Sequence, residues 1–161
     1  MKFSEFFTSK DNIQLDKRTL VVLRWIAYIG QFISICAVYF ILDYTFPFYN
    51  CLVIIFIGVI TNLYLQFIVK ENQLSNIQSS LYLLYDLIQL ALLLFLTGGV
   101  TNPFIILLII PAIVSSTFLT LRSTVNLSII TISILIILTI YHLPLPHMHF
   151  EELHFHVPNY Y

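Results

Sequence analysis

The chain has 161 residues, of which 59% are hydrophobic and 9% charged, with seven Lys and Arg against eight Asp and Glu for a formal net charge of -1. A mean hydropathy of +0.92 lies outside the range of soluble domains, where roughly a quarter of residues are charged, so this is an integral membrane protein. No basic patch or Gly-rich phosphate loop points to nucleic acid or nucleotide, and the two cysteines, Cys36 and Cys51, lie inside apolar runs as buried thiols rather than as a disulfide framework.

Residues 1–19, with Lys2, Lys10, Lys17 and Arg18, form a short polar segment ahead of the first apolar run. That run starts near Leu20 and has no small-residue cleavage site, so it is a retained span and not a removed signal peptide. Crossing ~30 Å of hydrocarbon takes roughly 20 mostly apolar residues. Spans are predicted at 20–42, 47–69, 81–97, 103–121 and 124–141. Backbone polar groups find no water in lipid, so each span is helical despite its many isoleucines and threonines. The predicted fold is an all-α bundle of five transmembrane helices: a cytoplasmic segment 1–19, a transmembrane domain 20–142 and an outer loop or tail 143–161. Arg24, Lys70 and Arg122, with the four basic residues of the first segment, all fall on alternate connections. The excess of basic residues on cytoplasmic loops then places the N-terminus inside and the end of the fifth span outside.

Several polar residues sit within the spans. Arg24 and Asp86 each lie four or five residues inside the cytoplasmic end of a predicted span, ~6–8 Å deep at 1.5 Å per residue. Pairing between them lowers the penalty of an ionisable group in lipid; the alternative is that Arg24 snorkels to the interface and Asp86 meets water there. Gln89 shares the face of Asp86 one turn on, while Gln31 and Asn62 lie deeper and are suited to bonds between helices. Pro111 is expected to kink the fourth span, with Ser115, Ser116 or a neighbour satisfying the freed carbonyl.

Between the third and fourth spans the chain reads LTGGVTNPF, residues 96–104. Gly98 or Gly99 can take the left-handed conformation that ends a helix, Asn102 can cap the next, and Pro103 suits its first position, where no N–H is required. A hairpin turn needs only one or two of these residues, and Thr97, Thr101 and Phe104 add polar groups and a ring at the edge of the lipid. Beyond the fifth span, the tail holds His147, His149, His154 and His156 beside Glu151 and Glu152. Imidazoles at this spacing can bind a transition metal, but nothing fixes their geometry, so the tail reads as solvated and no metal is expected.

GGVTNPF resembles the GGxxNPF heptapeptide of the RegB/PrrB-type redox-sensing histidine kinases of bacterial two-component systems. LVVLRWIAYIGQ at 20–31, DLIQLALLLFLTGG at 86–99 and HLPLP at 142–146 resemble that family's first span, third span and last outer loop. The resemblance runs from Leu20 to Pro146. It implies a multi-pass protein of the bacterial inner membrane whose heptapeptide senses the quinone pool, with ubiquinone or a related membrane quinone as ligand. It further implies six spans, a homodimer through a cytoplasmic phosphoacceptor helix pair, an ATP-binding domain and a cognate response regulator. This sequence ends at Tyr161 before a sixth span, and holds neither a phosphoacceptor motif nor an ATP-binding box. The expectation is therefore a fragmentary sensor module, five of six spans, broken in the outer loop and without catalytic residues of its own. Neither Cys36 nor Cys51 maps to the redox-active cysteine of that family. A quinone site needs an opening to lipid, one or two donors and a surface for the ring. Asn102 or Thr101 can donate, Phe104 can stack, and Gly98 and Gly99 leave room for close approach, with first-turn N–H groups as further donors despite Pro103. The competing reading is a small polytopic transporter or membrane-complex subunit, which accounts for Asp86 but not for the heptapeptide.

Overall fold

The computed structural model describes residues 15–41, 43–143 and 147–148. Five helical segments follow one another: α1 (Lys17–Phe40), α2 (Phe48–Phe67), α3 (Asn76–Leu96), α4 (Ile110–Phe118) and α5 (Leu121–Ile140). Two 3-10 helices, Gly99–Thr101 and Pro103–Ile109, lie between α3 and α4. The four helices α1, α2, α3 and α5 are long and apolar enough to cross a membrane. Their outer faces are covered with exposed large apolar side chains such as Ile26, Phe56, Leu81, Ile129 and Ile136. In water such a surface has no partner, and in a bilayer the lipid chains supply it.

The fourth predicted span differs from a simple α-helix. It consists of seven residues of 3-10 helix running directly into the nine residues of α4. At ~2.0 Å per residue for 3-10 and 1.5 Å for α, these residues reach roughly 27 Å, so the tighter winding recovers length for a short segment. Pro111 explains where the winding changes. It lacks the N–H that would bond Leu107, and Ile110 N–H bonds the Leu107 carbonyl in the 3-10 manner instead. Of the groups expected to serve that carbonyl it is thus a neighbour, Ile110, that does so, while Ser115 Oγ meets Thr124 Oγ1 at 3.1 Å and Ser116 Oγ donates to Ile113 O at 2.7 Å.

α3 also begins earlier than hydropathy indicates. Ser75 and Gln78 form a reciprocal capping box that starts the helix at Asn76, within the polar stretch NIQSS. Asp86 is consequently midway along α3, about 15 Å from either end, and Arg24 is about 10 Å from the start of α1.

α3 is central. On one side it packs on α2, and on the other it packs on the Pro103–Ile109 segment, α4 and α5. Leu87, Leu94, Leu108 and Leu138 form the core of the second side, while Tyr28, Ile35, Cys51, Ile55 and Leu93 fill the first. Cys51 is buried there and Cys36 is only half-buried; both are free thiols. One end of the bundle, the basic end, is closed by Leu15, Leu20, Leu65, Leu74 and Leu119. Lys17 N and Nζ donate to Asn72 O and Val69 O. Asn76 ties α3 to the α4–α5 connection by donating to Thr120 Oγ1 and Ser123 Oγ and accepting from Thr120 N.

At the opposite end, Tyr39, Phe46 and Phe48 cluster at the α1–α2 turn, an aromatic belt of the kind found at membrane interfaces. A two-residue strand β1 (Tyr44–Thr45) pairs antiparallel with β2 (His147–Met148). Leu143 N donates to Phe95 O at 3.0 Å, so the segment after α5 folds back over the end of α3. His149, Glu151, Glu152, His154 and His156, and Lys2 and Lys10 at the other terminus, lie outside the described residues.

Candidate functional site

Two groups of polar residues stand out, one inside the bundle and one at the turn end. Inside the bundle, Arg24 of α1 is 2% exposed, and its Nε lies 2.9 Å from Asp86 Oδ1 of α3. The same carboxylate oxygen accepts from Tyr28 OH at 3.2 Å. Arg24 Nη2 donates to Thr61 Oγ1 of α2 at 2.9 Å, and the Thr61 hydroxyl in turn donates to Gly58 O at 2.8 Å. Three rings, Tyr28, Tyr82 and Tyr85, lie with their centroids 5.4–5.6 Å from the guanidinium carbon, where their negative faces supplement the single carboxylate. One turn farther along, Gln89 Nε2 donates to Gln31 Oε1 at 3.0 Å. Asn62 Nδ2 reaches Val21 O at 3.3 Å. The structure thus brings Arg24, Asp86, Gln31 and Gln89 into one seam joining α1 to α3, with Tyr28 and Thr61 as members that the sequence did not single out.

Gly58 makes the seam possible. A Cβ at this position would stand 2.8 Å from Tyr28 Cε1 and 3.2 Å from Gln89 Nε2, so a small residue is needed for α2 to approach both partners. Among the described residues, Arg24 Nη1, Asn62 Oδ1 and Ser79 Oγ are buried without a hydrogen-bond partner. Behind Tyr28, between α1 and α2, runs an open groove of about 550 Å³ lined by Trp25, Phe32, Phe56 and neighbouring aliphatic residues. It presents almost no polar surface, so it suits a lipid chain and offers a ligand headgroup nothing to bond.

At the turn end, Thr97 N closes α3 on Leu94 O, and Thr97 Oγ1 donates to Leu93 O at 2.7 Å. Gly98 and Gly99 follow with φ of 112° and 55°, conformations that a side chain disfavours. Asn102 does more than cap. Its Oδ1 accepts from Phe104 N at 2.9 Å, and its Nδ2 donates to Thr97 O at 3.1 Å and to Thr97 Oγ1 at 2.8 Å. The amide has two N–H donors, and both are engaged. Ile105 N bonds Asn102 O, so the first two N–H groups of the 3-10 helix after Pro103 are also taken. The donors expected of Asn102 and of that first turn are therefore spent on the turn itself. Thr101 and Pro103 are exposed, Phe104 is 44% exposed, and Gly98 and Gly99 are buried. The turn also has a partner that sequence reasoning missed. A Cβ on Gly99 would stand 2.4 Å from His142 Cβ and 2.5 Å from its Cγ, so the imidazole lies directly on the glycine.

A bundle of apolar helices whose interior charges bond one another, and whose glycine turn sits at the lipid edge, is a polytopic α-helical membrane module. Over 114 residues, 70% of the chain, it is 40% identical to the sensor histidine kinase RegB of Cereibacter sphaeroides. The chain thus corresponds to the N-terminal part of a RegB-type sensor histidine kinase. The matched region makes up 25% of that relative, so the chain spans about a quarter of its length. No family model matches the chain, and no solved structure matches it.

Proposed function

We propose that this bundle is the input module of a two-component sensor histidine kinase in the bacterial inner membrane, and that it responds to the redox state of a membrane quinone. The N-terminus and the basic end face the cytoplasm, where a kinase portion, working as a homodimer, passes phosphate to a response regulator. The observation that carries the quinone reading is the turn end. The half-exposed ring of Phe104 and the exposed Thr101 stand at the lipid edge beside two glycines without side chains, in the stretch GGVTNPF. A quinone ring approaching along the membrane finds there an aromatic face with the exposed Thr101 beside it. The competing transporter reading has less support, because the interior charges are bonded to each other across α1, α2 and α3 and line no polar path among the described residues.

The test is photolabelling of the protein in lipid nanodiscs with an azido-quinone. Labelling is expected between Thr97 and Ile109 and is expected to fall several-fold in Phe104→Leu, while the melting temperature stays near that of wild type. Labelling spread evenly over the lipid-facing helices would contradict the assignment.

A further inference from the structure

His142 follows the C-terminus of α5, and its ring lies against Gly99, 43 residues earlier in sequence but adjacent in the fold. His142 Nδ1 is 2.9 Å from Leu138 O. A carbonyl can only accept, so Nδ1 carries the hydrogen, and in the neutral ring Nε2 is left as a lone-pair acceptor. Among the described residues no hydrogen bond to Nε2 is present, and the residue is half-buried rather than sealed in the core. The rest of the turn has its donors committed: Asn102 to Thr97, Thr101 Oγ1 to Gly98 O, and Phe104 N to Asn102 Oδ1. What the turn offers a ligand is therefore an acceptor rather than a donor.

The two redox forms of a quinone differ in this respect. The oxidised ring carries two carbonyls, which only accept; the reduced ring carries two hydroxyls, which also donate. Resting on the quinone reading above, we propose that His142 is the residue that discriminates between them. Its Nε2 accepts a hydrogen bond from a quinol hydroxyl at the Gly98–Phe104 turn and has no bond to give a quinone carbonyl. The Leu138 carbonyl holds the ring in the required tautomer, and Gly99 gives it room. A ligand shifts a conformational equilibrium only through differential affinity, and this contact supplies a difference with a defined sign.

The experiment uses the full chain in nanodiscs under anaerobic conditions at pH 8, with a short-tailed quinone and its quinol as probes, and reads the ratio of the two dissociation constants. One net hydrogen bond predicts a preference for quinol of about two- to tenfold in wild type. His142→Phe keeps a flat ring on Gly99 and removes the acceptor, so the ratio is expected to fall to about one. His142→Lys replaces the acceptor with a donor, and the preference is expected to reverse toward quinone, an outcome that unfolding cannot produce. If both forms bind and neither variant moves the ratio, the role of His142 is refuted while the quinone site stands. If wild type binds neither form, the quinone reading itself fails, and this inference with it.

Discussion

The Arg24–Asp86 pair allows a quantitative prediction. Replacing Asp86 with Leu leaves a guanidinium that is 2% exposed without the one carboxylate it meets among the described residues. Nη1 already lacks a partner, and Nη2 has just the Thr61 hydroxyl. An uncompensated buried charge of this kind costs about 3–5 kcal/mol. Arg24→Met leaves Asp86 with the Tyr28 hydroxyl, but the carboxylate is 20% exposed, so the loss should fall near ~3 kcal/mol, the lower end of the same range. Removing both charges at once leaves neither group stranded, and apolar replacements of buried pairs are often neutral or stabilising. The double variant Arg24→Met/Asp86→Leu should therefore stand within ~1 kcal/mol of wild type, a coupling of about 5 kcal/mol or more. Reversible unfolding in mixed micelles, followed by helical circular dichroism, measures all four corners of the cycle. Neutral hydrogen bonds between membrane helices average about 0.6 kcal/mol. A coupling of that size, or losses that simply add, would show that Arg24 and Asp86 do not act as a buried ion pair.

Three further outcomes follow from the geometry. Asn102→Asp keeps the acceptor for Phe104 N but loses both donations to Thr97, and should lower stability by about 1–2 kcal/mol; a melting curve indistinguishable from wild type would reduce Asn102 to a simple cap. Gly58→Ala should lose about 1–3 kcal/mol by overpacking against Tyr28 and Gln89, and Tyr28→Phe in the same background should not deepen the loss if the Tyr28 ring has already been pushed off Asp86. A reporter fused after Lys70 should be active in the cytoplasm and one fused after Tyr161 outside it; the reverse pattern would invert the proposed orientation.

Hydropathy alone located the spans, because a bilayer leaves a chain of this composition no alternative to helices. Their ends were less legible. The start of α3 depends on the Ser75–Gln78 box in a polar stretch that no apolar window includes. The change from 3-10 to α winding at Ile110 depends on which carbonyl replaces the one that Pro111 cannot bond. Of the interior seam, Arg24 and Asp86 were legible because ionisable groups in lipid need partners. Tyr28 and Thr61 were not, since a tyrosine or threonine in a membrane helix is ordinary until the fold sets it beside a charge. At the turn, Gly98 and Gly99 announced a change of direction, but the bonds from Asn102 back to Thr97 exist only because of how that turn closes. His142 was hidden for a similar reason. The glycine pair, larger than a turn requires, and the HLPLP stretch that His142 opens were both visible, but nothing in the sequence joins them, because the ring that fills the space above Gly99 comes from the far end of α5.

These magnitudes bear on which part of the bundle can move. On the quinone reading, the two redox forms differ by about two- to tenfold in affinity, so they can shift an equilibrium between two arrangements by no more than that factor, ~1.4 kcal/mol at the upper limit. Opening the Arg24–Asp86 contact would cost about 3–5 kcal/mol, beyond the reach of such a ligand. The α1–α3 seam should therefore stay closed in both redox states. The other side of α3 is different: there the Pro103–Ile109 segment, α4 and α5 meet it through leucines such as Leu94, Leu108 and Leu138, and apolar contacts can slide without stranding a polar group. Seven consecutive residues of 3-10 helix are also poised to rewind, since the i→i+3 geometry is the weaker of the two. Spin labels on the lipid-facing positions Ile26 and Leu81 should report one α1–α3 distance in quinone and quinol alike. Labels on Leu92 and Ile106, also lipid-facing, should report two distances whose populations change with redox state. A redox-dependent distance across α1 and α3, with none between α3 and the 3-10 segment, would show that the polar seam is the moving part and that its energy is far below the value argued here.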